Sequence, residues 1–486
     1  MTVENILARI ESGARFAALA GDGDRTEGLT LLVLLARPEG IDAERLTLPP
    51  GADRYSSLTP RIPAAFWYER KLHDLYGVVP QGHPRLDPLV LPHAEDNAPL
   101  PSPGAAYHPA HVEPDERALP SHVSGTGLFS FPHGPVRSGV FESVEYVVET
   151  PGEDIPHINV RPHFKHRGLE VRFEGMTPER GVLLAERAEG IASVAHALAF
   201  CHAVEEIAGT QPPITAHLVR ALHAELERIA NHLDVATKLA DAAGLAVAVA
   251  RFGWHKERVL RLVSALCGSR FGRGVVRPGG IRALPLLGRA ALRSRAGLLR
   301  RDIDSDSAAL MQTASFLDRL RGTGPLDEQF ALEHGLLGPV GRASGTGDDA
   351  RWQRPYDAYP KLTRRQGPEY RDGDAMARLR VRWDEVAESF DLIEQLVELL
   401  DDEADDVLFT PFEPVAGQSV GWAEAPQGEV LYFLDLGDGG RVRRCAPRSA
   451  SFHNLAVFSH AFRGDVLTDF PFIEASFGLS IAGVVM

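Results

Sequence analysis

The sequence predicts an α+β protein: a small N-terminal α/β domain, a proline-rich linker, and a large, mainly α-helical domain with a peripheral antiparallel sheet. Three observations carry this reading. Residues 29–37, LTLLVLLAR, form a nearly continuous apolar run of strand length. Ten prolines fall between Pro80 and Pro120, interleaved with His, Asp and Glu, a composition that excludes helix and reads as an extended connection. Beyond it, apolar residues recur at helical spacing over two stretches, each long enough for the spine of a bundle. The boundaries follow as 1–98, 99–125 and 126–486.

In chain order, an early helix precedes the apolar strand. Residues 66–86, FWYERKLHDLYGVVPQGHPRL, read as a helix that stops at Gly77 and a tight turn at Gly82-His83-Pro84. The linker histidines His93, His108, His111 and His122 lack a compact metal-ligand spacing. FESVEYVVET (141–150) and HINVRPHF (157–164) alternate with period two and predict antiparallel strands. One helix is expected over Thr177–Gly209. A second, from Pro213 to Gly244, places Ile214, Leu218, Leu222, Leu226, Ile229 and Leu233 on one stripe. A third, Asp374–Asp402, turns Val386, Phe390, Ile393, Val397 and Leu400 inward and ends in DDEADD, a solvated acidic terminus. EVLYFLDLGDGGRVRRCAP (429–447) predicts a hairpin with its turn at Asp438-Gly439.

Composition narrows the function. A net charge of −15 argues against nucleic acid, whose phosphates need a basic surface. No apolar run reaches membrane length and no signal peptide is visible, which predicts a soluble, cytoplasmic chain that meets the membrane through partners. The three cysteines, Cys201, Cys267 and Cys445, are far apart, so no cluster of thiolates is in reach; small buried hydrophobes in a reducing compartment describe them. No G-x-G-x-x-G opens a helix, and neither GTGLFSFPHG (125–134) nor GRASGTG (341–347) ends as a phosphate cradle does. SFHN (451–454) does not form a nucleophile elbow. His157, His163 and His166 could form a zinc site only across a strand-to-helix passage.

Two stretches carry a sharper signal. ERAEGIASVAHALAFCHAVE (186–205) and DFPFIEASFGLSIAG (469–483) resemble the two nickel-binding segments of a [NiFe]-hydrogenase large subunit. HLVRALHAELERIANHL, SRFGRGVVRPGGI, LLGPVGRASG, DDARWQRPYDAY and SFHNL resemble blocks shared by group 4 hydrogenase large subunits and the 49-kDa-type subunit of complex I. Glu69, Arg70, Asp74, Gly77, Gly82, His83, Pro84 and Leu86 match the signature of the 30-kDa-type subunit, a docking element with no redox centre of its own. The fused order is similar to formate hydrogenlyase-type and hydrogenase-4-type large subunits.

In the hydrogenases each nickel segment carries C-x-x-C. Here the four ligand positions hold Glu189, Ala192, Ser480 and Gly483, which offer nickel no thiolate. Cys201, about half a helical turn out of phase with Ala192, does not replace them. In the complex I branch the same cavity takes quinone, held by a His and a Tyr. The matching positions are Arg137, in GPVR, and Gly190, with Glu189 beside it. An arginine can still donate to a carbonyl or stabilise a reduced quinone anion. His196 lies two helical turns after Glu189, so the two are expected on one face, as a proton relay or as a hydrogen-bonded pair filling the old cavity. Arg137 would face an anionic intermediate or act as the countercharge of Glu189. His166 and Arg167 match the family's H-R-G motif, with a structural role expected.

The resemblance implies the large subunit of a membrane-associated, complex I-like or hydrogenase-4-like oxidoreductase, peripheral on the cytoplasmic face. It would receive electrons from the iron–sulfur cluster of a partner small subunit and sit on antiporter-like membrane subunits. It would hold no cofactor of its own except, in this reading, a quinone, and it would couple electron transfer to proton or ion movement. A redox-inactive scaffold or coupling subunit is the alternative, and a true hydrogenase or formate hydrogenlyase subunit the third.

Overall fold

The structure, a computed structural model, describes residues 3–91, 125–138, 140, 142–402, 406–413 and 415–486. The linker histidines and most of the acidic run after Asp402 lie outside the described residues. Helix α1 (Val3–Glu11) leads into three antiparallel strands, β1 (Arg15–Asp24), β2 (Gly28–Arg37) and β3 (Gly40–Leu48), in the order β1-β2-β3. The apolar run is the central strand β2, buried along nearly its whole length. Its two neighbours are more polar and carry no such run, so only the middle strand is visible in the sequence.

Short β4 (Arg54–Ser56) and β5 (Val79–Gln81) pair in parallel around α2 (Phe66–Tyr76), which ends where Gly77 turns left-handed at φ 65°. The signature residues act here as a clasp. Glu69 accepts from the Thr59 hydroxyl (2.6 Å) and amide (3.0 Å) and from the Leu58 amide (2.9 Å). Asp74 accepts from the amides of Leu89 (2.8 Å) and Val90 (2.7 Å). Arg70 donates to the carbonyls of Asp87 and Pro88. These bonds satisfy backbone that would otherwise be buried unpaired.

After the linker, β6 (Phe129–His133), β7 (Glu145–Thr150) and β8 (His157–Arg161) form a second antiparallel sheet, which includes both predicted strands. The expected helix over Thr177–Gly209 is corrected. Following α3 (Leu169–Phe173), the chain forms α4 (Pro178–Ala185), a non-helical turn over 186–192, and α5 (Ser193–Ala208). The break has a local cause: the Glu227 carboxylate accepts the first free amides of α5, from Val194 (2.7 Å) and Ala195 (3.1 Å). It does what preceding carbonyls would do in a continuous helix.

Helix α6 (Ile214–Ala242) is the predicted spine, with Leu218, Leu222, Leu226, Ile229 and Leu233 fully buried. It packs against α7 (Ala246–Cys267) and α13 (Ala375–Asp402), and α8 (Arg289–Leu310), which follows the small hairpin β9 (Val276–Arg277)/β10 (Gly280–Ile281), packs on those two helices. Four short helices intervene: α9 (Ala314–Leu320), α10 (Glu328–Glu333), α11 (Gly338–Ala343) and α12 (Ala350–Gln353). A third antiparallel sheet, β11 (Gly417–Ala425), β12 (Gly428–Leu436) and β13 (Val442–Arg448), lies against α5; the predicted hairpin is β12/β13, with Gly439 at φ 73°. The chain closes with α14 (Ala450–Leu455), α15 (Phe470–Phe477) and α16 (Ile481–Val484).

The N-terminal elements share a hydrophobic core with the C-terminal segment. Tyr68 packs edge-on against Phe452, with ring centroids 4.9 Å apart. Arg444 and Arg448 of β13 donate to the carbonyls of Gly21 and Ala17 in β1. Glu170 takes both Lys71 of α2 and Arg444.

Candidate functional site

The turn at 186–192 and the last turn of the chain come together, bringing three of the four ligand positions into one locality. Glu189 is completely buried, and its carboxylate lies against Gly483 and the Ser451 hydroxyl that Ser480 also contacts. Oε1 accepts from the Ser451 hydroxyl (2.8 Å) and Oε2 from the Ser449 hydroxyl (2.8 Å). His196 Nε2 stands 3.0 Å from Oε2, and His196 Nδ1 stands 2.9 Å from the Tyr432 hydroxyl. Burial pushes the Tyr432 phenol well above its usual range, so it stays protonated. With that hydroxyl turned toward Nδ1, the imidazole proton would sit on Nε2, facing Glu189. Among the described residues no Lys or Arg reaches ion-pair distance of Glu189.

Gly483 shows how tightly the carboxylate is seated: a Cβ at this position would lie 2.6 Å from the Glu189 carboxyl carbon. The Ser480 amide donates to the Ser451 hydroxyl (3.1 Å), and Ala192 is fully buried at the start of α5. One further group ties the segments to each other, and another holds the second segment in place. Arg167 Nη2 donates to the carbonyls of Ala188 (2.5 Å) and Ala482 (2.6 Å), one from each segment. Glu142 accepts from the Ser480 hydroxyl (2.9 Å) and from the amides of Ile481 (2.6 Å) and Ala482 (3.2 Å).

The donor set does not fit the nickel centre of the hydrogenases: a buried carboxylate, two hydroxyls and an imidazole, with alanine and glycine at the remaining positions. A hard carboxylate already saturated by protein donors cannot replace four thiolates.

The structure brings Glu189 and His196 together by a different route from the expected one. They do not share a helix, because the turn folds Glu189 back onto the first turn of α5. Arg137 is corrected. Its guanidinium forms a two-pronged pair with Glu474 of α15 (2.9 and 2.6 Å) and lies 5.0 Å over the Tyr146 ring, whose hydroxyl also donates to Glu474. The countercharge of Arg137 is therefore Glu474 and not Glu189. Gly190 faces away from the cluster and lines a cavity of about 80 Å³, apolar on Ile191, Val194, Leu226 and Phe271. Glu227 stands in its wall, its carboxyl pushed up to about 8 by burial despite the two amides that hold it. His166 is held down to about 4 by burial, and no group of three metal-ligating side chains gathers among the described residues.

Sequence reasoning did not find Tyr432, Ser449, Ser451 or Glu142. Ser451 opens the SFHN block and Ser449 lies two residues before it, where spacing carries no sign of a partner some 260 residues away.

A helical bundle of this topology, carrying two terminal segments that close around a common centre, defines the large subunit of hydrogenase- and complex I-type oxidoreductases. Residues 244–411 and 406–484 match the respiratory-chain NADH dehydrogenase 49 Kd subunit family, and residues 15–102 match the 30 Kd subunit family. The chain belongs to this family of fused 30-kDa- and 49-kDa-type subunits, whose members are subunits of oxidoreductase complexes. It is 30% identical to hydrogenase-4 component G of Escherichia coli (strain K12), over 87% of this chain and 74% of that protein. It is 29% identical to formate hydrogenlyase subunit 5 of the same organism, over 89% and 77%. Its fold is similar to a chain of the membrane-bound sulfane sulfur reductase, an archaeal respiratory membrane complex. That match has a TM-score of 0.69 at 25% identity, covering 74% of this chain and 99% of the other.

Proposed function

We propose that this chain is the large subunit of a membrane-associated, complex I-like or hydrogenase-4-like oxidoreductase, and that its former nickel site is a closed, proton-holding coupling centre. The observation that carries the reading is Glu189: its buried carboxylate accepts from the Ser449 and Ser451 hydroxyls, lies 3.0 Å from His196, and sits where a Cβ on Gly483 would meet it at 2.6 Å. A buried carboxylate without a guanidinium or ammonium partner can exchange a proton with the imidazole 3.0 Å away at little structural cost. The directional chain from the Tyr432 hydroxyl through His196 to Glu189 is suited to this. Electrons would pass through the iron–sulfur cluster of a small-subunit partner, and antiporter-like membrane subunits would carry the ion movement. Among the described residues no helix is long and apolar enough to cross a membrane, which is consistent with attachment through such partners.

A second reading, electron delivery to a quinone, is supported by the apolar cavity beside Gly190, one residue from Glu189. The test uses the whole complex, purified anaerobically through a tag on this chain. Its clusters are reduced, a short-chain quinone is added, and both cluster reoxidation and proton translocation are followed in wild type and Glu189→Gln. The coupling reading expects reoxidation to continue and translocation per electron to fall. Collapse of reoxidation itself would overturn it in favour of a quinone site, and no change in either would leave Glu189 a purely structural plug.

A further inference from the structure

A second cavity, of about 250 Å³, lies where the N-terminal elements meet the large domain, away from Glu189. Its wall is made by α2, the turn after β5, strand β8 and the segment that follows α14. It is lined by Arg70, Arg85, His157, His334, His453 and His460, and by no Asp or Glu among the described residues. In a chain of net charge −15 this is an unusual concentration of cationic and N–H donor groups.

One of the two guanidiniums, Arg85, is incompletely answered by the protein, and the other, Arg70, has Asp87 and Asp74 in electrostatic reach but at no ion-pair distance. Arg70 donates to the Asp87 carbonyl (2.7 Å) and the Pro88 carbonyl (3.1 Å), and no carboxylate among the described residues pairs with it. Burial pushes it down to about 10, the mark of a charge paying for desolvation. Arg85 gives Nε to Asp87, which pairs with it from outside the lining, and Glu149 is the other carboxylate in electrostatic reach. Its Nη2 and the Nδ1 of His460 are buried without a hydrogen-bond partner. Burial holds His453 at about 3 and His460 at about 4, so both rings are neutral at physiological pH.

We propose that this interdomain cavity binds a phosphate group, free or as the head of a small phosphomonoester, with Arg70 and Arg85 supplying charge and His460 a hydrogen bond. Guanidinium pairs favour tetrahedral oxyanions, and the volume exceeds that of inorganic phosphate alone, leaving space for an attached group. The proposal is independent of the reading of Glu189.

Calorimetric titration of the full-length chain with inorganic phosphate, and separately with glycerol phosphate, in a chloride buffer tests it. Saturable one-to-one binding is expected, weakened about tenfold or more in Arg85→Gln with an unchanged melting curve. Tighter binding of the ester assigns the physiological ligand to a phosphomonoester, and equal or tighter binding of inorganic phosphate assigns it to the free ion. Arg70→Gln also releases two backbone carbonyls, so Arg85→Gln and His460→Gln are the deciding variants. Absence of saturable heat with both ligands, or binding that survives both substitutions, would overturn the proposal.

Discussion

Two buried carboxylate clusters in the large domain answer burial in opposite ways. Around Arg351 the charges are packed in opposition: its guanidinium bonds Glu225 (3.1 Å), Asp349 (2.8 Å) and Glu388 (2.8 Å). Arg342 bonds Glu385 (2.7 Å) and Glu424 (2.9 Å) beside it. The Glu189 carboxylate accepts from the Ser449 and Ser451 hydroxyls and lies 3.0 Å from His196, with Arg167 in electrostatic reach but not at ion-pair distance. Arginine neighbours hold Glu225, Asp349 and Glu385 below the usual carboxylate range against the opposing effect of burial, so those groups stay ionised. The first cluster is a knot of opposed charges, in which burial and the neighbouring Asp349 still push the Glu424 carboxyl up to about 7, and the second is held by hydroxyls and a histidine.

The comparison breaks most sharply at Arg351. Arg351→Met would take their shared partner from three buried carboxylates, leaving them only the longer pairs to Arg228, Arg342 and Arg364, and should destabilise the fold by about 3–5 kcal/mol, visible as a large drop in denaturant midpoint. A midpoint close to wild type would mean that the knot contributes little. Glu189→Ala comes next. It leaves Ser449, Ser451 and His196 without their acceptor and opens a void, at a cost of about 2–4 kcal/mol. Glu189→Gln keeps the shape, so it should cost distinctly less by the same denaturation measurement. Equal losses would show that charge, and not filling, is what the site requires.

Acid separates a third carboxylate from both. Lys71 and Arg444 outweigh burial at Glu170 and hold it at about 2, against 4.5 for an ordinary glutamate. A lowered folded-state pKa stabilises the protein above the unfolded value. That contribution is complete above pH 4.5 and is lost as the pH falls through about 2. Glu170 joins the N-terminal helix α2 to β13, so the N-terminal elements should loosen first in this window. Glu170→Gln should remove up to about 3 kcal/mol at neutral pH and flatten the acid limb of a melting-temperature profile. An acid limb with its wild-type slope would assign the transition to other groups.

Much of this fold was legible because burial imposes a period. The stripe on α6 and the apolar run of β2 are direct consequences of facing a core. Helix α7 was readable on the same grounds, with Phe252, Val259, Leu262 and Leu266 buried, but its arginines and His255 obscured the stripe. The strands flanking β2 alternate weakly, being partly exposed, and left no clear pattern. At the site, the frame was visible through Glu189, Ala192, Ser480 and Gly483, since a family pattern persists after its ligands change. The contents were not. Arg137 and Glu474 are 337 positions apart, and a pair chosen by distance in the fold leaves no trace in spacing. The helical phase argument joined Glu189 to His196 through a helix that does not exist there, because a side chain from α6 takes over the amides at which α5 begins.

The smallest effect tests the closure of the site most directly. A methyl on Gly483 would meet the Glu189 carboxylate at 2.6–2.7 Å, and that carboxylate is held by three donors and cannot swing aside. Gly483→Ala should therefore cost about 1–3 kcal/mol through overpacking. In Glu189→Ala/Gly483→Ala the added methyl enters space the carboxylate has left, so the double variant should lose about 1 kcal/mol less than the two single losses together. Strict additivity would mean that the last turn moves away from Glu189 and that the former metal site can open. A clear coupling would locate the two residues in one rigid contact.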